Sequence, residues 1–61
     1  MMEITVKVYG SGIGILIDLD GEELASIVCL DKKEANTVIA NQLAHCAKLG
    51  VRTSVVWEAY I

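Results

Sequence analysis

The stretch "IGILIDLDGEELASIVC", residues 13–29, decides the fold, because two apolar runs flank a pair of residues that favours a tight turn. The first run alternates, so every second residue from Ile13 to Leu19 falls on one side, the pattern of a half-buried strand. Asp20-Gly21 suits a two-residue type I′ turn, in which both central residues need positive φ. This stretch therefore predicts a β-hairpin.

A tight turn at Asp20-Gly21 also predicts the register, with Leu19 opposite Glu22 and regular pairing beyond. Directly opposed residues share a face of a sheet, so the register assigns each residue of the third strand, which ends near Leu30, to a side. The expected core-facing residues are Leu24, Val28 and Leu30. Those expected on the other side, called the outer face below, are Ala25, Ile27 and Cys29, beside Leu16. The third strand then carries apolar residues on both faces.

Three glycines in "VYGSGIGI", residues 8–15, raise the question of a phosphate-binding loop. Such loops lead into a helix whose N-terminal amides receive the anion, whereas a strand follows here. We therefore assign Gly10-Ser11-Gly12 to a hairpin connection after an alternating strand at residues 3–9. Gly14 lies inside the second strand, which predicts a bulge or the close approach of another backbone.

The remaining elements are a helix over residues 31–49 and a closing strand over residues 51–61. Asp31 can cap the helix, Glu34 completes a capping-box pattern, and Gly50 is the expected stop. The predicted apolar stripe of the helix is Ala35, Val38, Ile39, Leu43, Cys46 and Ala47. In the closing strand Trp57 is expected on the core side, and placement beside the first or the third strand satisfies the pattern equally well.

The prediction is thus one α+β domain over residues 1–61. Its four-stranded mixed or antiparallel sheet follows β-β-β-α-β order, with one long helix on one face. A domain this small usually needs disulfides, a metal or oligomerisation for stability. Its two cysteines are expected to be reduced and buried, and its single histidine gives no metal-ligand spacing. Of these three sources of stability, oligomerisation is therefore the one expected.

Charge and hydropathy exclude several function classes. The net charge is −3 and the five basic residues form no run, which argues against direct nucleic-acid binding. No apolar run approaches the ~20 residues that cross a bilayer. No paired titratable groups indicate acid–base catalysis. We expect a soluble, cytoplasmic, non-enzymatic protein without a cofactor or a bound metal.

The first functional hypothesis is a homo-oligomeric binding module, because one helix covers only one face of the sheet. The residues expected at the oligomer interface are Leu16, Ala25, Ile27, Cys29 and Val56, with the small helix residues Ala40 and Ala44. A small anionic molecule such as a nucleotide is expected at a subunit junction. Its candidate contacts are Tyr9, His45, Lys48, Arg52 and Tyr60.

The alternative hypothesis is a stoichiometric protein inhibitor that acts through a sheet edge or an acidic hairpin. The acidic residues are Asp18, Asp20, Glu22 and Glu23, and a simple solvated hairpin tip is the other explanation for them. The element order, with "GIGILIDLDG" before the third strand, resembles small antitoxin domains of the HicB type. That resemblance implies a protein partner and no residue roles, because the aromatic-proline signature is missing. Size and charge are also similar to those of phage-encoded inhibitors of host defence.

Overall fold

The computed structural model describes residues 1–59 and confirms the predicted α+β fold. The described elements are β1 (Met2–Tyr9), β2 (Gly12–Leu19), β3 (Glu22–Cys29), α1 (Lys32–Leu49) and β4 (Thr53–Ala59). The sheet order is β3-β2-β1-β4, so the last strand lies beside the first. β4 runs parallel to β1, and the other neighbours are antiparallel. The sheet is mixed.

The core lies between α1 and one face of the sheet, here called the inner face. Alternate residues of β1 and β2 supply most of it, because successive side chains of a strand point to opposite sides. Ile4, Val6 and Ile15 are almost completely buried. No polar or charged side chain is buried within residues 1–59, so their core is purely apolar.

Both ends of α1 follow the predicted signals. The backbone N–H of Glu34 donates to Asp31 Oδ1 at 2.9 Å, and the Glu34 carboxylate accepts from the N–H of Leu30 at 3.3 Å. Gly50 adopts the left-handed conformation at φ 70°, and its N–H donates to the carbonyl of Ala47. The N–H of Glu34 and the carbonyl of Ala47 are among the groups that a helix leaves unpaired at its ends, whereas the bond from Leu30 fixes the residue before the cap.

The helix packs chiefly over β2 and β3, and β4, which has no buried residue, is the strand that the core covers least. Trp57 lies opposite Val6 and so faces inward as predicted, yet it stays 45% exposed. Two residues of the predicted helix stripe, Leu43 and Ala47, are also exposed, which corrects that assignment. Gln42 is partly buried instead, with its amide 3.8 Å from Cys46 Sγ.

The β2–β3 hairpin departs from the predicted register at one point. Asp20 and Gly21 both have positive φ, as the predicted turn requires. Leu19 pairs with Glu22 as predicted, but by Ile17 the partner is Ala25, one residue later than in regular pairing. β3 therefore contains a β-bulge, in which one extra residue is accommodated between Glu23 and Ala25.

The bulge reverses the predicted faces of β3, because a one-residue slip moves every later side chain to the opposite side. Ala25, Ile27 and Cys29 face inward, with Cys29 fully buried, so their predicted place on the outer face is wrong. The three residues expected in the core are exposed instead: Leu24, Val28 and Leu30. Cys29 and Ile27 join the core opposite Ile13 and Ile15.

Paired aspartate substitutions test this register. Ile27→Asp should lower the free energy of unfolding by about 2–4 kcal/mol, because it places a carboxylate against the core. Val28→Asp should lower it by less than Ile27→Asp does, because position 28 is exposed in the single chain and faces away from the core. Urea titration followed by circular dichroism measures both. The reverse ranking would contradict the bulge.

Candidate functional site

The outer face is an ordered set of rows, each formed by residues that lie opposite one another across the sheet. The middle row consists of Ser26, Leu16, Thr5 and Val56. The row toward the end of β1 consists of Val28, Gly14, Lys7 and Glu58. The row toward the start of β1 consists of Glu23, Asp18, Glu3 and Ser54. No helix covers these rows within the described part of the chain.

Apolar side chains on this face are accessible to solvent. Val28 is 81% exposed, Tyr9 46% and Val56 42%, and Leu16 is half-buried. Of the residues predicted at an oligomer interface, Leu16 and Val56 lie on this face. Ala25, Ile27 and Cys29 lie on the other side of the sheet. Val28 is the apolar residue that β3 places on the outer face instead.

The glycine stretch has a structural explanation at each position. Gly10 and Ser11 form the connection between β1 and β2, whereas Gly12, predicted to belong to it, is the first residue of β2 and pairs with Tyr9. A Cβ built on Gly12, at φ 156°, would lie 3.0 Å from the carbonyl oxygen of Cys29. A Cβ on Gly14 would lie 3.7 Å from the Tyr9 ring, an ordinary contact. Tyr9 therefore covers Gly14, and the bulge predicted there occurs in β3 instead.

Two alanine substitutions distinguish these glycines. Gly14→Ala should stabilise the fold by about 0.5–1 kcal/mol, because strand glycine carries an entropic cost and the added methyl group fits beside Tyr9. Gly12→Ala should destabilise it by about 1–3 kcal/mol through backbone strain and the contact with the Cys29 carbonyl. Thermal unfolding of both variants measures the difference. Equal effects would contradict this assignment.

The acidic residues divide between several places. Asp18 and Glu23 lie opposite each other on the outer face, and the register adds Glu3, which the sequence pattern missed. We call Glu3, Asp18 and Glu23 the acidic row. Asp20 instead accepts a 2.7 Å bond from the N-terminal ammonium, and Glu22 pairs with Leu19 on the inner side. The three carboxylates of the acidic row concentrate negative charge at this end of the sheet.

The predicted ligand contacts are not brought together within one chain. Tyr9 ends β1, whereas the Arg52 carbonyl accepts from the N–H of Met2 at the opposite end of that strand. His45 and Lys48 are exposed on the helix, across the sheet from the outer face. Lys48 lies in the last turn of α1, where its charge complements the negative end of the helix dipole. That negative end disfavours a bound anion. Tyr60 lies outside the described residues.

The exposed helix face carries the other predicted contacts. Ala40 and Ala44 are both exposed and lie away from the buried residues Ala35, Ile39 and Cys46. They are accessible to a second chain, as the interface prediction requires. Their one-turn spacing places both on one face, where small side chains allow close approach of another helix backbone.

Residues 1–59 enclose no pocket, and they contain no group of three His, Cys, Asp or Glu side chains placed to hold a metal. Burial, reinforced by the negative charges of Glu34 and Asp31, raises the pKa of the Cys29 thiol. A raised pKa keeps the thiol protonated and poorly nucleophilic.

This raised pKa predicts a pH dependence of stability. The folded state holds the thiol proton more tightly than the unfolded state, so the stabilisation is complete below the ordinary thiol pKa and is lost as pH rises through the folded pKa. The stability difference between the parent chain and Cys29→Ala should therefore shrink between about pH 7 and about pH 10. Urea titrations at each pH measure it, and a constant difference would contradict the assignment.

Comparison with protein-family models, with curated proteins and with solved structures finds no match. The described part of the chain also contains no helix with the length and apolar character needed to cross a bilayer. The outer face is thus the candidate binding surface on its geometry alone.

Proposed function

We propose that this chain is a non-enzymatic binding module that acts as a homo-oligomer, in which two copies pack outer face against outer face. The accessible apolar side chains of that face carry the proposal, with Leu16 and Val56 in its middle row and Val28 beside them. Covering such side chains is favourable, at roughly 25 cal/mol for each Å² of apolar surface removed from water. A 61-residue chain with a small core gains stability from an interface of this kind.

The charges on the face favour a second copy arranged with reversed strand direction. A two-fold axis in the plane of the interface and perpendicular to the strands moves the acidic row of one copy away from the acidic row of the other. Each acidic row then lies toward the partner's row of Val28, Gly14, Lys7 and Glu58, in which Lys7 and Glu58 balance in charge. Residues of the middle row, including Leu16 and Val56, come close to the centre of this two-fold contact.

Any small anionic ligand, such as a nucleotide, is held between copies in this proposal. The separation of Tyr9 from Arg52 leaves one chain unable to surround such a molecule with the candidate contacts. Sites at subunit boundaries provide concavity that a short chain lacks. A thermal-shift panel of nucleotides tests this part of the proposal, which the absence of any stabilisation would contradict.

Solution mass tests the self-association directly. Light scattering after size exclusion should give at least twice the chain mass of 6.6 kDa. Leu16→Lys, with its folding verified by circular dichroism, should shift the population toward lower mass, because it places a charge near the centre of the two-fold contact. Leu49→Lys is the matched control, an exposed leucine on the helix that should leave the mass unchanged. A parent chain of 6.6 kDa at all concentrations would overturn the proposal.

A second candidate function is an inhibitor that presents the acidic row to a basic protein. The observation that favours it is the alignment of Glu3, Asp18 and Glu23 across three neighbouring strands. Charge complementarity of this kind accelerates association and depends strongly on salt. Asp18→Asn with Glu23→Gln should then abolish capture of a basic partner and leave the solution mass unchanged. Capture that survives both substitutions would contradict it.

A further inference from the structure

β4 is an edge strand without the protection that edges usually carry. Its near side pairs with β1 along the strand, and no strand pairs its far side within residues 1–59. An unprotected edge presents backbone N–H and C=O groups that another strand can pair with. The occupant that fits such an edge is therefore an extended segment of polypeptide.

β3, the strand at the opposite edge of the sheet, carries two features that protect an edge against pairing with another strand. β3 carries the bulge that breaks its regular pairing, and it begins with two adjacent carboxylates, Glu22 and Glu23. Bulges and charged residues both discourage edge-to-edge contact. β4, "TSVVWEA", pairs regularly with β1 and has one charged residue, Glu58. Only β4 is therefore suited to continue the sheet among the described strands.

Both faces of β4 are also incompletely covered. None of its seven residues is buried, although the strand includes two valines and a tryptophan. Val56 is exposed on the outer face and Trp57 on the inner face. Because α1 packs chiefly over β2 and β3, the helix leaves space beside β4. An added strand would cover apolar surface on both sides.

We propose that β4 pairs antiparallel with β4 of a second copy, about a two-fold axis through Val56. The same edge on both copies makes the contact self-complementary. This register sets Val56 opposite Val56, Val55 opposite Trp57 and Ser54 opposite Glu58, so no like charges meet. Valine opposite tryptophan is a favourable cross-strand pair. The inference rests on the proposed homo-oligomer and specifies how its copies join.

Edge pairing and outer-face packing together define the assembly. The two-fold axis of the edge contact is perpendicular to the sheet, so both outer faces of the joined pair point the same way. The axis of the outer-face contact runs along the middle row, which contains Val56, so the two axes meet. Two perpendicular two-fold contacts that meet generate a closed tetramer of D2 symmetry. We therefore expect a mass of four times 6.6 kDa for the parent chain.

Cysteine cross-linking tests the register. In a Leu16→Lys background, which disrupts the outer-face contact, Val56→Cys should form a disulfide between copies in oxidised glutathione, because the edge contact sets position 56 opposite itself. Ser54→Cys is the matched control on the same strand and face. Its equivalent positions lie roughly 13 Å apart along antiparallel strands, beyond the ~7 Å Cα separation that a disulfide spans. Cys29 and Cys46 are buried, and the parent chain measures any background from them.

Light scattering on the same samples separates the possible failures. A covalent dimer of Val56→Cys in the Leu16→Lys background, with none of Ser54→Cys in the same background, supports the edge contact. A parent chain that self-associates without any Val56→Cys cross-link overturns the edge contact and leaves the proposed function standing. A parent chain that is monomeric overturns both. Trp57→Lys provides an independent variant: with its folding verified by circular dichroism, it should halve the tetramer mass, and an unchanged mass would contradict the edge contact.

Discussion

The β-bulge between Glu23 and Ala25 is the constraint on which the rest of the molecule depends. It decides which side of β3 faces the helix, because strand side chains alternate and a shift of one residue exchanges the two faces. With the bulge, Ile27 and Cys29 complete the core, and Val28 points to solvent. The composition of the outer face follows from that exchange.

The position of the helix is the second consequence. α1 begins at Lys32, directly after its cap Asp31, and packs chiefly over β2 and β3 on its way to β4. The β4 side of the sheet is therefore left with a free edge, among the described residues, and a half-exposed Trp57. A single helix covers a four-stranded sheet unevenly, and the surface it leaves open is where association would add most stability.

Local sequence signals predicted the helix, the strands and the turns well. The sequence was least informative for β3, where both faces of the strand carry apolar residues. The Asp31 cap, the Gly50 stop and the Asp20-Gly21 turn each depend on the chemistry of one or two residues, so a pattern identifies them. The bulge has no such local signal, because both sides of β3 carry apolar residues, and Ser26, which regular pairing would set opposite Ile15 on the core face, is the residue that the bulge moves outward. Glu3 was missed as part of the acidic row because its neighbours come from distant parts of the chain.

Intermolecular nuclear Overhauser effects would test the outer-face contact most directly. In a mixture of isotopically labelled and unlabelled chains, filtered spectra detect only protons that approach each other from different copies. Outer-face packing predicts such signals for the methyl groups of Leu16, which the edge contact leaves apart, and none for the core methyl groups of Ile15. Sharp spectra of a 6.6 kDa species without any intermolecular signal would contradict it.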